Sequence, residues 1–231
     1  MSSNPVDVSD GIYCESVYVW EAPVRIWHWT NGLSVLVLAS TGYLIANPLP
    51  SLSGEASDHF MMGNIRLIHF IAAYVFAIGF LVRIYWALVG NKYAREIFYL
   101  PIWRPQWWKD LLHKICFYLF ITCEIHETPG HNPLAQIAMF FLNTLLSVFM
   151  IFTGFALYSE GLGGGSWADR LFGWVIPLLD GAQAVRTWHL LGMWLFVTFV
   201  IIHIYMTMRA DIISRQSSIS SIIDGWRRRV L

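Results

Sequence analysis

From Thr187 to Met208 the chain runs for 22 residues without Asp, Glu, Lys or Arg, carrying a histidine near each end, His189 and His203. About 20 such residues carry a helix across the hydrocarbon of a bilayer. Only helices and closed barrels satisfy their backbone hydrogen bonds there, so the run leaves few folds open. Three more runs meet the same criterion, at 26–46, 67–89 and 134–158. The expectation is an all-α integral membrane protein, a four transmembrane helix bundle whose single membrane domain covers residues 1–231. Composition agrees: 13% of the residues are charged, against about 25% in soluble domains.

The stretch between the second and third runs, YLPIWRPQWWKDLLHKICFYLFITC, is aromatic and basic. Its uncharged part, 115–123, is too short to span a membrane, and an interfacial segment over about 107–123 fits better. Lys and Arg then set direction. Eleven lie in the N-terminal tail, the 90–130 loop and the C-terminal tail; three (Arg66, Arg170, Arg186) lie on the other side, with Arg83 inside its span and near enough to its end to snorkel. Both termini are expected to be cytoplasmic. The trio Arg227, Arg228 and Arg229 belongs to that signal, and no basic patch calls for nucleic acid. The opening residues have neither a basic n-region nor an apolar core, so no cleaved signal peptide is expected. Cys14, Cys116 and Cys123 read as small apolar fillers, and without a CxxCH no covalently attached haem is expected.

His189 and His203 are fourteen residues apart, about 21 Å of rise and nearly four full turns, so both face one side of their helix. His28 opens the first span, which enters from the cytoplasm, and His69 opens the second, which enters from outside. Depth pairs His28 with His203 at an inner level and His69 with His189 at an outer one. Arg25, Arg66 and Arg186 each precede a histidine by three residues, on the same helical face and nearer the water. Two imidazoles for iron, with cations toward the interface for propionates, is what a haem b needs. Gly32 and Gly192 suit either the approach of a flat macrocycle or close helix packing. A lone intramembrane histidine is often a packing residue, but four that pair by depth point to function. Zinc fits poorly, because each level offers two ligands rather than four. A haem-free anchor or transporter subunit, with the histidines as a proton relay, is the rival from another class.

APVRIWHW…TGY (22–43), IRLIHF (65–70), GNKYAREIF (90–98), GHNPLAQIAMF (130–140), FMIFTGFALYSE (149–160) and RTWHLLGMW (186–194) together resemble the b-type cytochrome subunit of membrane-bound nickel–iron hydrogenases. The cytochrome b subunit of formate dehydrogenase is a relative and supplies the alternative reading. The resemblance implies two haems b on His28, His69, His189 and His203, in the bacterial cytoplasmic (inner) membrane. It implies partnership with the hydrogenase small and large subunits, the chain itself not activating hydrogen. Electrons would pass from the small subunit's iron–sulfur clusters through the outer and then the inner haem to membrane quinone. For that quinone, GHNPLAQ offers His131, Asn132 and Gln136 at the mouth of the third span. The formate dehydrogenase cytochromes use an Asn at the equivalent entry. The same residues also read as a helix start, with Asn132 as cap and Pro133 in the first turn.

Overall fold

The computed structural model describes residues 7–9, 12–50, 60–119, 121–122, 130–214 and 218–230. Its four long apolar helices are α1 (Ala22–Ala46), α2 (Met61–Val89), α4 (Pro133–Leu162) and α7 (Ala182–Ser214). All four are long and apolar enough to cross a membrane. Each outruns its expected bounds, α2 by six residues at its start and α7 by five there and six at its end. The apolar run marks the hydrocarbon, whereas the backbone ladder continues through polar flanks into the interface. Their outward residues, among them Ile78, Leu81, Leu88, Leu195 and Ile201, are exposed apolar side chains, as lipid contact requires.

The expected interfacial segment is α3 (Pro105–Tyr118), started by a proline in its first turn and burying Trp107 and Leu111. It stops five residues short of 123, which lies outside the described residues. Among the described residues, short helices α5 (Trp167–Phe172), α6 (Val175–Leu178) and α8 (Ser218–Asp224) complete the helical set. Within α4, Met139–Leu145 forms a π turn that buries Asn143 and Thr144. Thr144 Oγ1 donates to the Ile97 carbonyl at 2.9 Å.

A small sheet accompanies the helices of the bundle. Strands β1 (Asp7–Ser9), β2 (Ile12–Tyr18) and β3 (Trp226–Val230) form an antiparallel sheet in that order. Cys14 pairs with Val230 and Tyr18 with Trp226, so the arginines at 227–229 lie in a strand. The pairing brings together segments from the two ends of the chain. Gly225 makes the turn into β3 at φ +91°, and a Cβ there would stand 2.6 Å from the Trp20 carbonyl. That carbonyl position is set by Val19 N and Trp20 N, which both donate to Gly225 O.

The chain divides into two compact units. One comprises Met1–His28, Val82–Thr144 and Phe199–Leu231; the other comprises Trp29–Leu81 and Leu145–Thr198. The first is centred on Val19, Trp20, Val24 and Ala94, backed by Trp86, Tyr93 and Ile222. Glu21 ties it together: one carboxylate oxygen accepts Trp86 Nε1–H and Asn91 N–H, both at 2.9 Å. In the second, segments of α1, α2, α4 and α7 pack through aromatic edges, with Phe70 against Tyr158 at 4.8 Å, Phe76 against Phe196 at 6.1 Å and Tyr43 against Trp194 at 6.2 Å.

Candidate functional site

The second unit holds His69 of α2 and His189 of α7. Each ring is held by a threonine from another helix. Thr41 Oγ1 on α1 stands 2.8 Å from His69 Nδ1, and Thr153 Oγ1 on α4 stands 2.8 Å from His189 Nδ1. Both hydroxyls also donate to the carbonyl four residues back, to Val37 at 2.7 Å and Phe149 at 2.8 Å. A hydroxyl has one proton. With that proton committed to a carbonyl, the imidazole must donate Nδ1–H to the hydroxyl oxygen. That arrangement presents Nε2 of each ring as the nitrogen free to ligate a metal.

The residue after each threonine is glycine, and this too has a local reason. A Cβ at Gly42 would stand 3.3 Å from His69 Cε1, and one at Gly154 would stand 3.2 Å from His189 Cε1. The dipeptide thus does two things: threonine holds the ring's edge, and glycine leaves room for its body against the helix. It occurs once on α1 and once on α4. Gly192 instead serves packing, since a Cβ there would meet Met150 Sδ at 2.4 Å, while nothing lies within 4 Å of one at Gly32.

In the first unit the rings of His28 and His203 have centroids 6.2 Å apart with planes at 50°. Phe199, one turn before His203, stacks on that ring at 5.7 Å and 29°. A metal–imidazole bond is about 2 Å long and a ring nitrogen lies about 1.1 Å from the ring centre, so two imidazoles sharing one metal have centroids about 6 Å apart. The observed spacing matches. Among the described residues no three His, Cys, Asp or Glu side chains group to hold a metal ion. A two-imidazole site suits an iron that takes its other four ligands from a macrocycle. The residues present fit haem.

The arginines are placed less uniformly. Arg186 forms an ion pair with Glu160 at 3.2 Å, both on the surface. Arg25 Nη1 donates to the Ile223 carbonyl. Arg66 is exposed on the second turn of α2. Arg83 does not snorkel as expected: its side chain is 2% exposed. The loop after α2 covers it, with Ala94 O accepting from Nη2 at 2.5 Å and Phe98 lying against the guanidinium.

At the start of α4, Asn132 is the N-cap, its side-chain oxygen accepting from Ala135 N at 2.9 Å. Gln136 Oε1 accepts from Trp107 Nε1 at 2.8 Å. His131 meets Glu96 Oε2 twice, through its backbone N–H at 2.7 Å and Nδ1 at 3.1 Å, and its ring lies 5.0 Å from that of Trp20. These contacts occupy the oxygens of both amides and one edge of the imidazole. They leave the two amide NH2 groups and His131 Nε2 as the groups a ligand could meet.

Comparison with known proteins places this geometry in a family. Residues 19–225 match the family model described as prokaryotic cytochrome b561. The chain belongs to this family. The cytochrome is 58% identical over 212 residues to the probable Ni/Fe-hydrogenase B-type cytochrome subunit of Azotobacter chroococcum, covering 92% of this chain and 88% of that one. Its counterpart in Cupriavidus necator is 51% identical over 220 residues, 95% of this chain and 90% of the relative. The subunit of Escherichia coli K12 named for hydrogenase 1 is 50% identical over 216 residues, 92% and 91% of the two chains. The protein is therefore a multi-pass membrane cytochrome of b type, and such a cytochrome carries haem b.

Sequence reasoning passed over Thr41, Gly42, Thr153 and Gly154 as site residues of this cytochrome. A signal was present: Thr-Gly recurs in the first and third apolar runs, near the end opposite to His28 in one and to His131 in the other. Both runs are expected to enter from the same side. Equal depth would have placed the two dipeptides beside His69 and His189.

Proposed function

We propose that this cytochrome is the di-haem membrane subunit of a nickel–iron hydrogenase, anchoring the small and large subunits and delivering their electrons to membrane quinone. The observation that carries the reading is the two histidine pairs in a chain matched almost end to end by relatives named as Ni/Fe-hydrogenase cytochrome subunits. Those names favour hydrogenase over the formate dehydrogenase alternative. His69 and His189 would hold one haem and His28 and His203 the other, with both termini in the cytoplasm. When bound, the haems would supply reversible one-electron chemistry, and a haem held by two histidines suits electron transfer rather than oxygen chemistry.

The protein's own part is ligation, orientation and exclusion of water. Thr41 and Thr153 present Nε2 of their histidines; Arg66 and Arg186 would neutralise the propionates of the haem between them, and Arg25 one of the second haem. Arg186 would share its charge with Glu160. For quinone, His131, Asn132 and Gln136 would donate hydrogen bonds to the carbonyl oxygens, with Glu96 orienting His131 and exchanging protons through it.

The test is an absorption spectrum of the purified protein with pyridine-haemochrome quantitation, for which two haems b per polypeptide are expected. A chain without a Soret band would return the reading to a haem-free anchor or transporter subunit. Redox titration then reads the threonines. Thr41→Val keeps shape and loses the acceptor for His69 Nδ1–H; this makes the imidazole a poorer electron donor, destabilises the oxidised iron and raises that haem's midpoint potential. Thr41→Ser, which keeps the hydroxyl, should restore the potential. Equal potentials in all three proteins would show that the hydroxyl only packs.

A further inference from the structure

Among the described residues Arg83 is the largest fully buried side chain. Stripping a guanidinium of water costs several kcal/mol unless its donors are met and its charge is answered. Here neither is complete. One nitrogen donates to Ala94 O, and the rings of Trp27 and Phe98 lie against the guanidinium, each ring centroid 5.3 Å from the central carbon. Nε and Nη1 are buried with no acceptor. Trp27 Nε1, on the indole that covers the guanidinium, is a third buried donor with no acceptor. Among the described residues the two ion pairs are His131 with Glu96 and Arg186 with Glu160, so no Asp or Glu answers Arg83.

Three orphaned donors around one buried cation call for a group that only accepts and is negatively charged. A carboxylate fits: it takes a guanidinium edge through two oxygens and has lone pairs left for an indole N–H. Trp27 immediately precedes His28 in α1, and His28 is half of the pair spaced to share a metal. We propose that Arg83 and Trp27 form the binding site for a propionate carboxylate of the His28/His203 haem. The inference rests on the haem reading above. It gives the buried arginine a counter-charge that arrives with the cofactor, so the apoprotein holds an unanswered cation and the holoprotein does not.

The experiment compares wild type, Arg83→Gln, Arg83→Lys and Trp27→Phe, each purified with its haems. The His28/His203 haem is identified as the spectral component missing from His28→Ala, and its midpoint potential is titrated between pH 6 and 8. In Arg83→Gln that potential should fall, because removal of a cation favours the oxidised, more positive iron. It should also become pH-dependent, because the propionate is no longer held ionised and takes up a proton on reduction. Retention of that haem against an apomyoglobin trap should weaken by on the order of tenfold, the worth of one charge-assisted hydrogen bond. Arg83→Lys should restore the charge effect but not full retention, and Trp27→Phe should weaken retention more mildly at nearly unchanged potential. The His69/His189 haem should not respond. If Arg83→Gln does not accumulate, Trp27→Phe decides, since it keeps an aromatic ring and the cation while removing the indole N–H. Unchanged potential and retention in the variants of a two-haem wild type overturn the site alone. A wild type without haem overturns the proposed function and the site together.

Discussion

His69→Ala is expected to remove one haem and leave the other, and His28→Ala to do the converse. The reason lies in how separately the two pairs are built. His69 and His189 are each fixed through Nδ1 by a threonine of their own unit, with hydrogen bonds of 2.8 Å and a glycine beside each ring. His28 and His203 belong to the other unit, with Phe199 stacked on the latter. With one of its two histidines removed, a haem would keep half of its protein ligands, and a b-type haem has no covalent link to hold it. The measurement is haem per polypeptide together with low-temperature spectra of the reduced protein, in which one component should vanish in each variant. Loss of both components from a single variant that still accumulates in the membrane would count against independent sites.

Much of this was legible because it depends on local periodicity. A bilayer imposes a length on apolar runs, and a helix imposes a face on residues fourteen apart, so the four spans and the neighbouring positions of His28 and His203 could be read from spacing alone. What escaped depends on contacts far apart in the chain. The pairing of β2 with β3 joins residues more than two hundred positions apart, and strand signals that short are weak when read singly. The burial of Arg83 is likewise decided by Trp27 and by the loop at 94–98, so its position near a span end pointed to snorkelling where the structure shows enclosure. The threonine clamps were hidden for another reason. Threonines in apolar helices usually return their hydroxyl to the carbonyl four residues back, as both do here, and that local bond gives no hint of a second partner.

The proposed quinone site carries the second large expectation. Asn132 has two roles that one substitution can separate, because its oxygen caps α4 whereas its NH2 is available to a ligand. Asn132→Ala would remove both, with about 1 kcal/mol of helix stability going with the cap. Asn132→Asp keeps an excellent cap and suits the positive end of the helix, yet replaces the donor with an acceptor that repels a quinone carbonyl. Reduction of quinone by hydrogen through the attached hydrogenase should therefore slow at least tenfold in Asn132→Asp, a hydrogen bond lost and a repulsion gained. Both haems should remain bound and should still be reduced by hydrogen, which places the defect after them. Gln136→Leu gives a companion test: Trp107 anchors the glutamine oxygen and so aims its amide, and loss of that amide should slow turnover without touching the cap. His131→Phe should add a dependence on pH, since the ring held by Glu96 is the group through which protons would reach the reduced quinone. Normal quinone turnover in Asn132→Asp and Gln136→Leu would place the site elsewhere and leave HNP as the start of a helix.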